Sequence, residues 1–161
     1  MNHSIEIRCA TISDVPLILQ FIKELAEYER LFHEVVATEE LLQETLFGAQ
    51  SHAEVIIGYL DDKAVGFALF FHNFSTFLGK PGIYLEDLYV KPEARGQGVG
   101  RIMLAYLAKL AKDRNCGRLE WRVLDWNEAA INFYKSIGAV ALDDWIVYRV
   151  VDRALDDLAN N

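Results

Sequence analysis

The chain has 161 residues, 52% of them hydrophobic and 25% charged, with a formal net charge of −8. That length fits one domain, residues 1–161, able to bury a core without a metal or disulfide staple, and the composition excludes a disordered chain. With acidic charge prevailing and no basic cluster beyond a few positions near residues 95–101, nucleic acid is excluded as a partner and a cationic small molecule is favoured.

The opening stretch "MNHSIEIRCA" holds no apolar core long enough for a signal peptide, and the longest apolar run, "AVGFALFF", is far short of a membrane span. No membrane contact and a cytoplasmic location are expected. Cys9 and Cys116 lack CxxC spacing and read as thiols in a reducing compartment. "SIEIRCA" alternates as a first strand. "TISDVPLILQFIKELAEYERL" then carries Ser13 or Asp14 as a helix cap, Pro16 in the first turn, and Val15, Ile18, Leu19, Ile22 and Leu25 at helical spacing. "ATEELLQETLFG" repeats the pattern with Thr38 as cap and Gly48 as stop. "AEVIIGYLDDKAVGFALFFHNF" reads as two strands joined at Asp61, Asp62 and Lys63, and "GIYLEDLYV" as a fourth strand ended by Lys91 and Pro92.

A helix from Val99 to Asn115 places Val99, Met103, Tyr106, Leu107 and Leu110 on one face, with Gly117 past its end. "RLEWRVLD" is a strand and "NEAAINFYKSIG" a helix. "AVAL" and "WIVYRVV" form a last pair of strands before a short acidic tail. The order is β-α-α-β-β-β-α-β-α-β-β, an α/β chain whose hairpins and crossovers predict a central mixed sheet flanked by helices.

Between the fourth strand and the long helix stands "RGQGVG", residues 95–100. Glycines there let an anion approach the unpaired amides and partial positive charge of a helix N-terminus, and Arg95 and Arg101 flank the turn. The same glycines would also serve a plain tight turn. A dinucleotide fingerprint fails, because Gly96 and Gly98 lead to Arg101 and the next pair, Gly98 and Gly100, leads to Met103. A P-loop fails for want of Gly-Lys-Ser/Thr.

The wider stretches "EDLYVKPEARGQGVGRIML" and "DWNEAAINFYKSIGA" resemble the GNAT N-acetyltransferases, whose motif matches Arg95, Gly98 and Gly100. Through "IKELAEYE", "YLEDLYV" and "WNEAAINFYK" the resemblance is closest to the spermidine/spermine (diamine) and thialysine acetyltransferase branch, and it covers nearly the whole chain. It implies a single-domain GNAT fold, acetyl-coenzyme A as co-substrate, a pantetheine arm between the splayed strands "YLEDLYV" and "LEWRVL", and a homodimer. Carried over, the cofactor contacts are Leu88, Tyr89 and Val90 on the strand, Arg95, Gly96, Gln97, Gly98, Val99, Gly100 and Arg101 in the loop, and Asn127, Ala130, Phe133 and Tyr134 at the thiol end. The acceptor contacts are Tyr28 and Glu29, with Glu86 and Asp144. Two departures bear on the acceptor: the segment after Gly138 is shorter than the branch's acidic loop, and "DWNEAA" lacks the proline common there.

Acetyl transfer to an amine needs a neutral amine, a stabilised oxyanion and a proton for the leaving thiolate. An alkylamine of pKa ~10.4 is only about 0.04% neutral at pH 7, so a base is expected. Glu86 is the candidate, acting through water, on the strand face of Tyr84, Leu88 and Val90 with Asp87 on the other; the alternative is an exposed strand carboxylate. Tyr134 is the expected partner of the sulfur, donating a proton or only a hydrogen bond. Cys116 at a helix C-terminus is disfavoured as a thiolate. His3, His33, His52 and His72 have no ligand spacing, so no metal is expected. The function expected is acetyl-coenzyme A-dependent transfer to a polyamine or a lysine-like amino acid such as thialysine. A protein or peptide N-acetyltransferase and a non-catalytic coenzyme A-binding module are the alternatives, the last disfavoured by the presence of both Glu86 and Tyr134.

Overall fold

The computed structural model of the chain describes residues 3–161. They form two compact units, the first running to Arg122 and the second covering Val123–Asn161. In the first unit, strands β1 (Ile5–Cys9), β2 (Glu54–Leu60), β3 (Lys63–Ser75), β4 (Lys80–Val90) and β5 (Leu119–Trp121) lie in that order in one sheet. The first three pairings are antiparallel and β4–β5 is parallel, so the sheet is mixed as expected.

Helices α1 (Val15–Tyr28) and α2 (Glu39–Phe47) cover one face of the sheet. Their apolar stripes, Val15, Ile18 and Phe21 with Leu42 and Leu46, close over Val55, Ile57, Phe67 and Tyr89 in a core from which water is excluded. Phe21 stacks on Phe67 with ring centroids 5.6 Å apart. Helix α3 (Val99–Asp113) buries Val99, Met103, Leu104, Leu107 and Ala111 against the opposite face. Gly58 permits that approach: a Cβ there would lie 3.1 Å from the Met103 sulfur and 3.3 Å from a Val99 methyl. The expected Thr38 cap forms, its hydroxyl accepting from Leu41 N–H at 3.2 Å. The β2–β3 hairpin closes through Asp61 and Asp62, both in the left-handed region that a two-residue turn demands.

The second unit contains α4 (Glu128–Ser136) and α5 (Asp152–Ala159). Here the sequence reading is corrected. "AVAL" and "WIVYRVV" form no strand, and "RLEWRVLD" contracts to the three residues of β5. β-Branched and aromatic residues favour strands because they pack on a pleated neighbour, and no ladder reaches 139–151 to supply one. The expected acidic tail is present and carries a helix not foreseen there, α5, whose Ala and Leu favour it, with Arg153 reaching Asp157 one turn on at 3.6 Å.

Candidate active site

The site begins with an irregularity in β4. Leu69 of β3 pairs with Asp87, but the next residue, Phe70, pairs with Leu85, so Glu86 is an extra residue outside the register. A bulge of this kind kinks the strand and re-aims its side chains. The expectation that the pleat sends Glu86 and Asp87 to opposite faces is thereby overturned: both line one cleft. The β4–β5 ladder ends at the same point. Its last pair is Leu85 with Trp121, and β4 continues alone along that edge from Glu86 to Val90. The two parallel strands part there, leaving an open stretch of β4 backbone against which an extended ligand can lie.

The cleft has a volume of about 440 Å³. Its walls are apolar, from Ile22 and Leu25 of α1 and from Leu31, Val35 and Val36 of the turn beyond, while Glu29, Glu34, Glu86 and Asp87 supply carboxylates. Arg122, directly after β5, donates to Glu86 at 3.2 Å. Asp87 is half-buried, and that burial, with the neighbouring charges of Glu86 and Glu29, pushes its carboxyl up to about 7 against the opposing pull of Arg122. Burial likewise raises Glu29, with Arg122 opposing and Glu86 adding to the rise. Four acidic groups on an apolar-walled cleft suit a cation with an alkyl stem. A separate cavity of about 170 Å³ beside Cys9 and Tyr106 lacks this character, because its acidic wall residue Glu54 is gripped by Arg114 at 2.6 and 2.8 Å.

The glycine turn has the geometry an anion requires. Gly96 and Gly98 both adopt positive φ, at 74° and 89°, and a Cβ on either would meet nothing within 4 Å, so the ground above the turn is open. Gly98 caps α3, whose first internal bond runs from Ile102 N–H to Gly98 O; the amides of Val99 and Gly100 point out of the helix end. Gln97 is tied back to Glu93 O at 3.1 Å. Arg95 turns the other way: its Nε donates to Val90 O at 2.8 Å and its guanidinium covers the Tyr28 ring at 4.7 Å. Tyr89 has its side chain in the core, 5% exposed, so only its backbone faces a ligand; Leu88 and Val90 flank it, each half-buried.

The remaining predicted residues belong to the second unit. Asn127 caps α4, its side-chain oxygen accepting from Ala130 N–H at 3.3 Å. Phe133 and Tyr134 follow on the same helix with ring centroids 5.7 Å apart. Asp144 lies exposed in a turn. Asp87, Glu34 and the apolar wall are the additions that sequence reasoning did not assign to the site. Among the described residues, no group of three or more His, Cys, Asp or Glu side chains is arranged to hold a metal, and no helix is long and apolar enough to cross a membrane.

The profile of the Acetyltransferase (GNAT) family matches residues 20–139. The chain is 38% identical to a thialysine N-epsilon-acetyltransferase of Bos taurus, over 95% of this chain and 96% of that protein. It is 34% identical to an L-ornithine N5-acetyltransferase of Arabidopsis thaliana, over 92% and 85% respectively. Among solved structures, an integron cassette protein from the mobile metagenome of V. cholerae superposes with a TM-score of 0.81 at 32% identity, over 98% of this chain and 99% of that one.

The cleft makes a prediction that needs no ligand. Folded Asp87 keeps its proton up to about pH 7, and an unfolded aspartate only to about pH 4. Between these values the folded chain binds more protons, so this residue's contribution to stability falls as pH rises. Asp87→Asn should therefore melt higher than the parent at pH 8, with the margin shrinking toward pH 4.5. Thermal denaturation followed by circular dichroism across that range tests it, and a margin independent of pH would refute it.

Proposed function

The chain belongs to the GNAT acetyltransferase family and is an N-acetyltransferase acting on amines, and we propose that it moves an acetyl group from acetyl-coenzyme A directly to a primary amine of a small cationic acceptor, a polyamine or a lysine-like amino acid such as thialysine. The observation that carries the acceptor reading is the cleft of Glu29, Glu86 and Asp87 between apolar walls. An ammonium group is drawn to such carboxylates while its methylene stem covers the walls. The thialysine and ornithine specificities in the relatives' names support the same chemistry.

The donor side fits the residues present. Open space over Gly96 and Gly98, with outward amides at Val99 and Gly100 and Arg101 in the first turn of α3, suits the pyrophosphate. The backbone from Leu88 to Val90, beyond the end of the β5 ladder, suits the pantetheine. Bound acetyl-coenzyme A supplies the activated thioester. Glu86 attracts the ammonium and takes its proton through water, and Arg122 holds that carboxylate in place. The bulge leaves backbone at Glu86 outside the ladder, and an amide released in this way is the kind of donor a developing oxyanion needs. Tyr134 serves the leaving sulfur by a hydrogen bond or a proton, a role that rests on the family resemblance, with Asn127, Ala130 and Phe133 of the same helix beside the thiol. Residues 1–161 act as one catalytic domain in this reading, which rests on the family resemblance along the whole chain.

We further infer that the protein works as a homodimer in the cytoplasm. Trp145, Ile146, Val147 and Tyr148 are 75%, 76%, 69% and 90% exposed, and an apolar strip of this kind is normally covered. A second copy of the chain is the proposed cover. The two cysteines are unpaired, which suits a reducing compartment.

Four measurements test these statements. Release of free thiol from acetyl-coenzyme A should be fastest with diamines, thialysine or ornithine, and a neutral or anionic best acceptor would overturn the acceptor reading. Gly98→Val, which puts a branched side chain in the cradle, should weaken coenzyme A binding severely in calorimetry of a folded protein. Glu29→Gln should raise KM for the amine with little change for the donor, whereas Tyr134→Phe should lower kcat by roughly 10²–10⁴-fold with both KM values near the parent's. Light scattering on a sizing column should give twice the chain mass of 18.3 kDa, and Trp145→Glu should shift it toward the single-chain value.

A further inference from the structure

The acceptor cleft crowds like charges. Asp87 shares the cleft with Glu86 from its own strand and Glu29 from the C-cap of α1, with Glu34 on the same cleft from the turn beyond. A guanidinium close by, Arg122, gives its hydrogen bond to Glu86. Glu34 is exposed and has His33 at 3.4 Å. Carboxylates that share an apolar-walled space cannot all ionise without a compensating cation, and the most desolvated of them retains a proton. Glu86 and Glu34 are exposed, whereas Asp87 is half-buried and shares the cleft with the charges of Glu86 and Glu29.

We infer that Asp87 is the proton store of the acceptor cleft: it carries a proton while no cation is present and releases it when a cationic amine enters, so that acceptor binding and proton release are one event. This rests on the cationic acceptor proposed above. The balance is simple. A neutral carboxylic acid and an ammonium ion become a carboxylate–ammonium pair, and one proton passes to the buffer. The raised titration range of Asp87 places this exchange near neutral pH. Asp87 thereby becomes a specificity residue, because a neutral acceptor brings no charge to replace the proton and gains nothing from the exchange. Amine affinity becomes pH-dependent although the amine itself, with pKa ~10.4, stays protonated throughout the range.

The test uses the full chain with coenzyme A present and 1,4-diaminobutane as the probe. Calorimetric titrations at pH 6.5 in buffers of small and large ionisation enthalpy give the number of protons released per amine bound. The parent should release a large fraction of one proton, Glu86→Gln a smaller fraction because one of the charges that hold the proton on Asp87 is gone, and Asp87→Asn almost none. Affinity in the parent should be about tenfold weaker at pH 6 than at pH 8, as expected for a competing proton on a group titrating near 7, and nearly flat in Asp87→Asn. Histidines change charge in this range, so His33→Gln is the control and should keep the parent's profile. Unaltered proton release in Asp87→Asn, or amine binding by the parent without release, would overturn the proposal. The carbon-13 shift of the Asp87 carboxyl in the ligand-free protein separates this inference from the acceptor reading. A midpoint near 7 supports the proton store even if the diamine fails to bind, which would count against the acceptor reading alone. A midpoint near 4 removes the store even if the diamine binds.

Discussion

One inserted residue in β4 is the constraint on which the site depends. Side chains on a strand alternate between faces, so two consecutive carboxylates normally point apart, and one would be lost to the cleft. Placing Glu86 outside the β3 register brings both to the same cleft while β4 stays paired on either side of it. The parallel ladder to β5 stops at Leu85, one residue earlier, so the strand opens toward a ligand where its register shifts. A flush strand would pair further, close the groove and separate the carboxylates. The carboxylate cleft and the open edge of β4 therefore share one backbone origin.

How much of this is legible in the sequence follows from what each feature depends on. Helical spacing in α1, α2 and α3 is local and is read correctly, as are the Thr38 cap and the Asp61–Asp62 turn. The glycine turn is also legible, since Gly96 and Gly98 occupy left-handed conformations that other residues avoid. The bulge is different. It arises from the pairing of two strands, Leu69 with Asp87 but Phe70 with Leu85, and no glycine marks it. Asp87 stays hidden with it, because its role comes from the face it is given and from Glu29 on another element. The segment 139–151 fails in the opposite sense: Trp145, Ile146, Val147 and Tyr148 carry strong strand preference, but preference becomes structure only beside a partner strand.

The two ends of the proposed site hold opposite charges by different means. With a net charge of −8 the chain as a whole repels a polyanionic donor. The cradle answers with backbone dipoles at the head of α3, which cannot be titrated away and which require only that Cβ atoms be absent from the approach. The acceptor cleft uses side-chain carboxylates, whose charge depends on pH and on one another. One end is thus fixed and the other adjustable.

Arg95 links these ends. It opens the motif that reads as a phosphate cradle, and a flanking guanidinium is the obvious extra charge for a diphosphate. The structure employs it otherwise: Nε holds the last carbonyl of β4, and the guanidinium lies over Tyr28 at the end of α1 and within 5.8 Å of the Tyr89 ring centre. A cation stacked on two rings and bonded to backbone is a brace more than a ligand arm. It fixes the start of the glycine turn against the helix end that presents Glu29 to the acceptor cleft. Arg101 stands in the first turn of α3. The glycine turn is tied through Arg95 to the end of α1, so in the proposed reading the spacing between donor and acceptor is set by protein contacts formed before either ligand arrives.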